Sequence, residues 1–235
     1  MRVVVTRPQA DAERTTAVLR ARGHDVLVAP LMRVEPIAVN LDGKWSAVVI
    51  TSANAPNAIA HNSARDALIK LPGYAVGRRS AEAAQQAGFT DVASANGDVH
   101  DLVRLIAARF EKNKAPVLYL AGEDRATDLL AELSVRGIVA EMRVVYRAVT
   151  TPLPSPLIEA LKAGEVDAVL HFSRRSADNY VTGARTAGIS GPALAVRQLC
   201  LSEQVAEPLA GASRISIAVR PDEAALIDLL SARPG

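Results

Sequence analysis

Short aliphatic runs alternate with amphipathic segments through most of the chain, the pattern of parallel strands joined by covering helices. Val3 to Val5 read as a strand, and Ala10 to Arg22 as a helix with Ala17, Val18 and Ala21 on its apolar face. Gly23 suits the left-handed position that ends such a helix. Val26 to Val28, Ala47 to Ile50 and Tyr74 to Val76 read as further strands, the last two each followed by a helical pattern. Val117 to Leu120 lead into a helix expected from about Ala126 to Gly137, and Val139 to Val145 are extended. Val166 to Phe172, Leu199 to Leu201 and Ile215 to Val219 supply the remaining strands. A closing helix is expected to begin at Pro221, with Asp222 and Glu223 opposing the positive end of its dipole.

The second half of this pattern repeats the first. VVVTRPQADAERTTAV lies over VLYLAGEDRATDLLAE, AVVITSANAPNAI over AVLHFSRRSADNYV, and YAVGRRSAEAAQQAG over LCLSEQVAEPLAG. Three matches in one order point to an internal duplication rather than to a generic run of βα units. Each first unit also ends in an extended segment, Met32 to Ile37 and Arg143 to Val149, bracketed by Pro30, Pro36, Pro152, Pro154 and Pro156. Two such segments can pair and link two lobes. The expected fold is therefore α/β: two similar parallel-sheet lobes, each a sheet flanked by helices, joined by a two-stranded linker. The first lobe is discontinuous, with residues 1–34 and 149–235; the second takes 38–144, and the linker 35–37 with 145–148.

Composition narrows the partners. The 235 residues are 49% hydrophobic and 22% charged, enough for a sizeable core, which aromatics at 3% make aliphatic. So few rings, with a net charge of only +2, argue against a nucleic-acid partner. Cys200 is the single cysteine and the four histidines are scattered, so neither a disulfide framework nor a metal site is expected. The apolar run in MRVVVTRPQ is too short for a signal-peptide core, and no stretch approaches the ~20 apolar residues of a membrane span. A cytoplasmic protein is expected. No large apolar stripe demands a second copy, so a monomer is expected too.

The chemistry-bearing residues gather at strand ends. There is no GxxxxGK[ST], no GxGxxG after a strand, no GxSxG elbow and no pair of carboxylates at strand ends. What the strand ends carry instead is Thr6-Arg7, Thr51-Ser52, Gly77-Arg78-Arg79-Ser80, Gly122-Glu123, Ser173-Arg174-Arg175 and Ser202. In an open parallel sheet, ligands bind outside the carboxyl ends of the strands. Hydroxyls and backbone N–H groups at helix starts suit carboxylates there, and arginines add bidentate contacts. Each has a plain structural reading as well. Thr51, Ser52, Ser173 and Ser202 are good helix caps, the arginines can be solvated surface charge, and Gly77 or Gly122 can simply serve a turn. His171 and Cys200 read as packed core groups. Tyr146, between Arg143 and Arg147, can donate a proton or hydrogen bond from the linker strand, or can pack its ring and wet its hydroxyl.

The order of VVVTRPQADAERTTAVLRARGHDVLVAPL, AVVITSANAPNAI, YAVGRRSAEAAQQAGF, VLYLAGEDRATDLLAELSVRG with VVYRAV, and VDAVLHFSRRSADNYV resembles the uroporphyrinogen-III synthase family over nearly the whole length. The resemblance implies two α/β lobes on a two-stranded linker. It implies a lyase of haem and porphyrin biosynthesis whose substrate is hydroxymethylbilane, a linear tetrapyrrole bearing many carboxylates, with no cofactor. That substrate loses its terminal hydroxyl to give an azafulvene, and ring D attacks to form a spiro intermediate that recloses inverted. The family's tyrosine in VVYRAV, its candidate general acid, maps onto Tyr146. The strand-end hydroxyls and N–H groups would then hold substrate carboxylates. The chain departs from the family at LCLSEQVAEPL, where Ser202, Glu203, Gln204 and Val205 replace a glycine followed by proline and threonines. Glu203 places negative charge near a polyanionic substrate. It keeps open a rival reading, a non-catalytic two-lobe binding protein for a small polyanion or tetrapyrrole.

Overall fold

The computed structural model of the chain describes residues 1–110, 115–124 and 129–231. The chain divides into two compact units, Met1–Arg33 with Val149–Gly235, and Val34–Ala148. Strand β1 (Arg2–Val5), helix α1 (Gln9–Ala21) and β2 (Asp25–Val28) open the first unit, and β3 (Met32–Pro36) crosses to the second. There follow β4 (Ala47–Ile50), α2 (Asn54–Ala58), α3 (Arg65–Leu68), β5 (Gly73–Ala75), α4 (Arg78–Gln86) and β6 (Val92–Ser94). Next come α5 (Val99–Arg109), β7 (Val117–Gly122) and α6 (Leu129–Val135), before β8 (Ala140–Thr150) crosses back. The first unit is completed by α7 (Ser155–Lys162), β9 (Ala168–His171), α8 (Arg174–Thr186), α9 (Ser190–Ala195) and β10 (Arg197–Cys200). Helix α10 (Glu203–Ala206), β11 (Ile215–Ile217) and α11 (Glu223–Asp228) end it.

The first unit holds a five-stranded sheet in the order β11-β10-β9-β1-β2, and the second a six-stranded sheet in the order β3-β8-β7-β4-β5-β6. Neighbours within β11 to β2 and within β8 to β6 pair in parallel. The crossing strands β3 and β8 run antiparallel: the Thr151 N–H donates to the Leu31 carbonyl and the Ile37 N–H to that of Val145. On that ribbon Arg147 meets Glu35 at 3.1 Å.

The repeat read from the sequence reappears as topology. Replacing β7, β8, β4, β5 and β6 by their counterparts β1, β2, β9, β10 and β11 turns one sheet order into the other. The duplicated strands AVVI and AVLH are buried along their whole length, as strands covered by helices on both faces must be. In the second unit Val48, Ile50, Leu118 and Leu120 pack with Ile59, Leu68 and Phe89 on one face. Ala47, Val49, Val117 and Tyr119 pack with Leu102, Ile106, Leu129 and Leu133 on the other. The first unit is built alike, with Val4 and Val169 against Leu157, Leu161 and Tyr180, and Val3, Val5 and Leu170 against Leu19, Leu226 and Ile227.

Two local readings change, and one falls outside the described residues. The closing helix starts at Glu223 rather than Pro221, because Asp222 is its cap and accepts the Ala225 N–H at 2.8 Å. The start expected near Ala126 lies outside the described residues, and α6 is described from Leu129. The pattern after Ile50 gives two short helices, five and four residues long, where its duplicate gives the 13-residue α8. The strand β6 and the helix α5 are additions. Asp98 and Asp101 form a reciprocal capping box at the start of α5.

Candidate active site

Tyr146 is placed by an irregularity in the sheet. Strand β8 pairs with β7 up to Ala121 opposite Val144, and the next pair is Gly122 with Tyr146, leaving Val145 as an extra residue on β8. Such a bulge re-aims the side chain that follows it. The Tyr146 ring comes to rest against Gly122. A Cβ built on that glycine would lie 2.6 Å from the Tyr146 Cζ and 2.7 Å from its hydroxyl. The Glu123 N–H donates to the Tyr146 carbonyl at 2.9 Å and fixes the strand at this point. The ring is half-buried against the core face of Val48 and Leu120.

Its phenol is hydrogen-bonded with Ser52, at the end of β4. Burial holds the Tyr146 pKa above the ordinary tyrosine value; the Ser52 bond works the other way, while Tyr119 and Asp124 nearby push it further up. The phenol therefore keeps its proton at neutral pH and is a donor there. Ser52 also accepts the Asn54 N–H at 3.2 Å, so its hydroxyl both shapes the turn and meets the phenol. On the opposite face of the same strand end, the Thr51 hydroxyl lies 3.0 Å from the Tyr119 hydroxyl. Tyr146, Gly122, Ser52 and Thr51 thus come together, with Tyr119 as an unanticipated member. A tyrosine within a run of apolar strand residues reads as core, and only the β4–β7 pairing places it two residues from Thr51.

Beside them, β5 ends at the start of α4. Gly77 is extended, at φ −151° and ψ 173°, so no left-handed conformation calls for glycine, and the space beside its Cα is open. The Gly77 cap position of α4 makes no capping bond through a side chain. Arg78 is exposed with its Nε 3.8 Å from Glu82, whereas Ser80 is buried under the helix.

The strand ends of the first unit are more occupied. Thr6 is fully buried and donates its hydroxyl proton to the Leu170 carbonyl at 3.0 Å, tying β1 to β9. Arg7 lies over the Phe172 ring at 4.2 Å, donates to Thr15 at 3.2 Å, and faces Glu223 at 3.4 Å and Asp11 at 3.8 Å. Ser173 caps α8 by accepting the Ser176 N–H at 3.2 Å, and Arg174 pairs with Glu207 at 3.0 Å. Ser202 sits at the cap position of the four-residue α10 but makes no capping bond through its side chain. In this unit the candidate residues are mostly engaged in holding the fold.

His171, expected as core, is fully buried, with Nε2 2.8 Å from the Gln198 Oε1. Since the Gln198 amide nitrogen donates to the Ala193 and Val196 carbonyls, its oxygen must accept from His171. The ring also meets Tyr180 edge-on at 5.2 Å between centroids. Burial lowers the His171 pKa to about 4 and pushes the Cys200 thiol up to about 12, so both stay neutral and unreactive. Among the described residues no group of three or more His, Cys, Asp or Glu is arranged to hold a metal ion. No helix among them is long and apolar enough to cross a membrane.

The family model described as uroporphyrinogen-III synthase HemD matches residues 13–228. Among solved structures, the uroporphyrinogen-III synthetase of Helicobacter pylori 26695 is 21% identical with a TM-score of 0.66, over 99% of this chain and 100% of that one. A mutant uroporphyrinogen III synthase of the extremely thermophilic bacterium Thermus thermophilus is 20% identical with a TM-score of 0.51, over 98% of each chain. At those identities the structures speak for the fold. No curated protein matches the sequence significantly.

Proposed function

The chain belongs to the uroporphyrinogen-III synthase family, and we propose that it closes hydroxymethylbilane into uroporphyrinogen III, inverting ring D through a spiro intermediate. It is a lyase-type cyclase of tetrapyrrole biosynthesis. On this reading the reaction needs no cofactor, and the protein works as a cytoplasmic monomer on a small polyanion, with neither nucleic acid nor membrane as partner.

The observation that carries the mechanism is the seating of the Tyr146 phenol, protonated by burial, against Gly122 and beside Ser52. As the carbon–oxygen bond of the terminal hydroxymethyl group breaks, the phenol gives its proton to the departing hydroxide and water leaves. General-acid help of this kind is worth roughly 10²–10⁴-fold. The azafulvene formed is the electrophile that ring D attacks. When the pyrrole rings recover their aromaticity they shed a proton, which returns to the phenolate. Much of the remaining task is holding a flexible chain in the geometry that inverts ring D, and positioning alone can supply a large share of a barrier. The uncapped N-terminus of the nine-residue α4 at Gly77, the Thr51 hydroxyl and Arg78 are the groups best placed to hold substrate carboxylates. In the first unit the neutralised Arg7 and the capping Ser173 offer less, and Ser202 keeps a hydroxyl for the same purpose.

Tyr146→Phe tests the reading. Phe keeps the ring on Gly122 and removes only the donor, so kcat is expected to fall by roughly 10²-fold or more with the thermal unfolding midpoint nearly unchanged. An unchanged kcat in a folded variant would reduce Tyr146 to packing.

A further inference from the structure

Two adjacent hydroxyls at the end of β4 are each paired with a phenol, from opposite faces of the sheet. Ser52 meets Tyr146, and Thr51 meets Tyr119 at 3.0 Å. Tyr119 lies opposite Val49 in the β4–β7 register, and its side chain reaches two residues along the same face to Thr51. It is 4% exposed, with its ring in the core beside Val49 and Val117. Thr51 is half-buried at the open strand end.

The duplicated unit supplies an internal control. Its equivalent register sets Val5 of β1 opposite Leu170 of β9, and two residues on from Leu170 stands Phe172. The same strand pair in the same fold thus carries valine and phenylalanine where this unit carries Tyr119 and Thr51. The fold does not need a polar pair at this place. A buried phenol with a hydroxyl partner is a costlier choice than the apolar pair, and it calls for a use.

We infer that Tyr119 is a positioning residue that orients the Thr51 hydroxyl for a substrate carboxylate. In this arrangement the phenol gives its proton to the Thr51 oxygen 3.0 Å away, which leaves the Thr51 proton for an acceptor outside the core. A threonine hydroxyl has one proton to give, and while its oxygen accepts from the phenol that proton is left for the ligand. A carboxylate accepts such a bond more strongly than a neutral acceptor does. The inference rests on the reading of Thr51 as a contact to substrate.

The test is a double-mutant cycle on steady-state kinetics with hydroxymethylbilane. Tyr119→Phe keeps the ring and the packing. It is expected to raise KM about fivefold, the loss of one ordinary hydrogen bond, with kcat within about twofold of the parent. Thr51→Val is expected to raise KM at least as much. In the Thr51→Val background Tyr119→Phe is expected to have no further effect, which packing alone would not produce. An unchanged KM in Tyr119→Phe, against a raised KM in Thr51→Val, overturns the inference and leaves the Thr51 contact standing. An unchanged KM in Thr51→Val removes that contact and the inference with it. Equal losses of kcat and thermal stability in both backgrounds would make Tyr119 a packing residue only.

Discussion

Gly122→Ala is the smallest change that moves the Tyr146 phenol without altering it. The glycine is not in the left-handed region, so an alanine backbone fits there without strain. Only the ring stands in the way. The new methyl would lie 2.6 Å from Cζ, 2.7 Å from the hydroxyl and 2.8 Å from Cε2, where ordinary contact begins near 3.4 Å. The ring must therefore retreat by about 0.8 Å, or the strands must part, and overpacking of this kind costs about 1–3 kcal/mol. A displacement near 1 Å of a group that must meet a reacting atom costs on the order of 10²-fold in rate. The expected outcome is a folded protein, modestly less stable in urea, with kcat down by roughly two orders of magnitude. In a Tyr146→Ala background the obstruction is gone, so Gly122→Ala should cost no further stability. A Gly122→Ala protein with parental kcat and stability would refute the seating of the ring and the placement of the donor that depends on it.

Two pH profiles follow from the buried groups. The Tyr146 pKa lies above 10.0 in the fold, so the activity it carries should not decline by its ionisation until the pH exceeds that value; a loss of kcat centred between pH 7 and 9 that disappears in Tyr146→Phe would contradict this. His171 is lowered from 6.5 to about 4, so the unfolded chain takes up its proton first. The stability owed to its neutral form is complete above pH 6.5 and is lost as the pH falls towards 4, by about 3 kcal/mol. Urea unfolding across that window should show the slope, weakened in His171→Gln, and a flat profile would rule it out.

The strand and helix alternation was legible because strands covered on both faces are short, continuous aliphatic runs; Ala47–Ile50 is the case in point. The duplication was legible too, since the order of the repeated segments fixes the order of strands in both sheets. The part of the site around Tyr146 was legible only as a set of separate strand ends. Nothing in VVYRAV marks Val145 as an extra residue, and without that bulge Tyr146 has no reason to face Gly122. Thr6 shows the converse. Its hydroxyl looks available at a strand end, but β1 is flanked on both sides, and the Leu170 carbonyl of its neighbour takes the proton. Arg7 is likewise satisfied by Glu223, from the far end of the sequence. Helix α5 is absent from the sequence reading although Asp98 and Asp101 announce it; paired aspartates form a capping box less commonly than serine or threonine with glutamate.

The central claim is the direction in which ring D enters the macrocycle. Hydroxymethylbilane also closes unaided, to the uninverted isomer, so the product isomer separates catalysis from mere binding. Incubating the protein with hydroxymethylbilane, oxidising the product and resolving the uroporphyrin isomers measures it directly. The account predicts the inverted isomer, formed faster than spontaneous closure and in proportion to the protein present. Only the uninverted isomer, at the spontaneous rate, would contradict it; bound tetrapyrrole with that result would point instead to a binding protein.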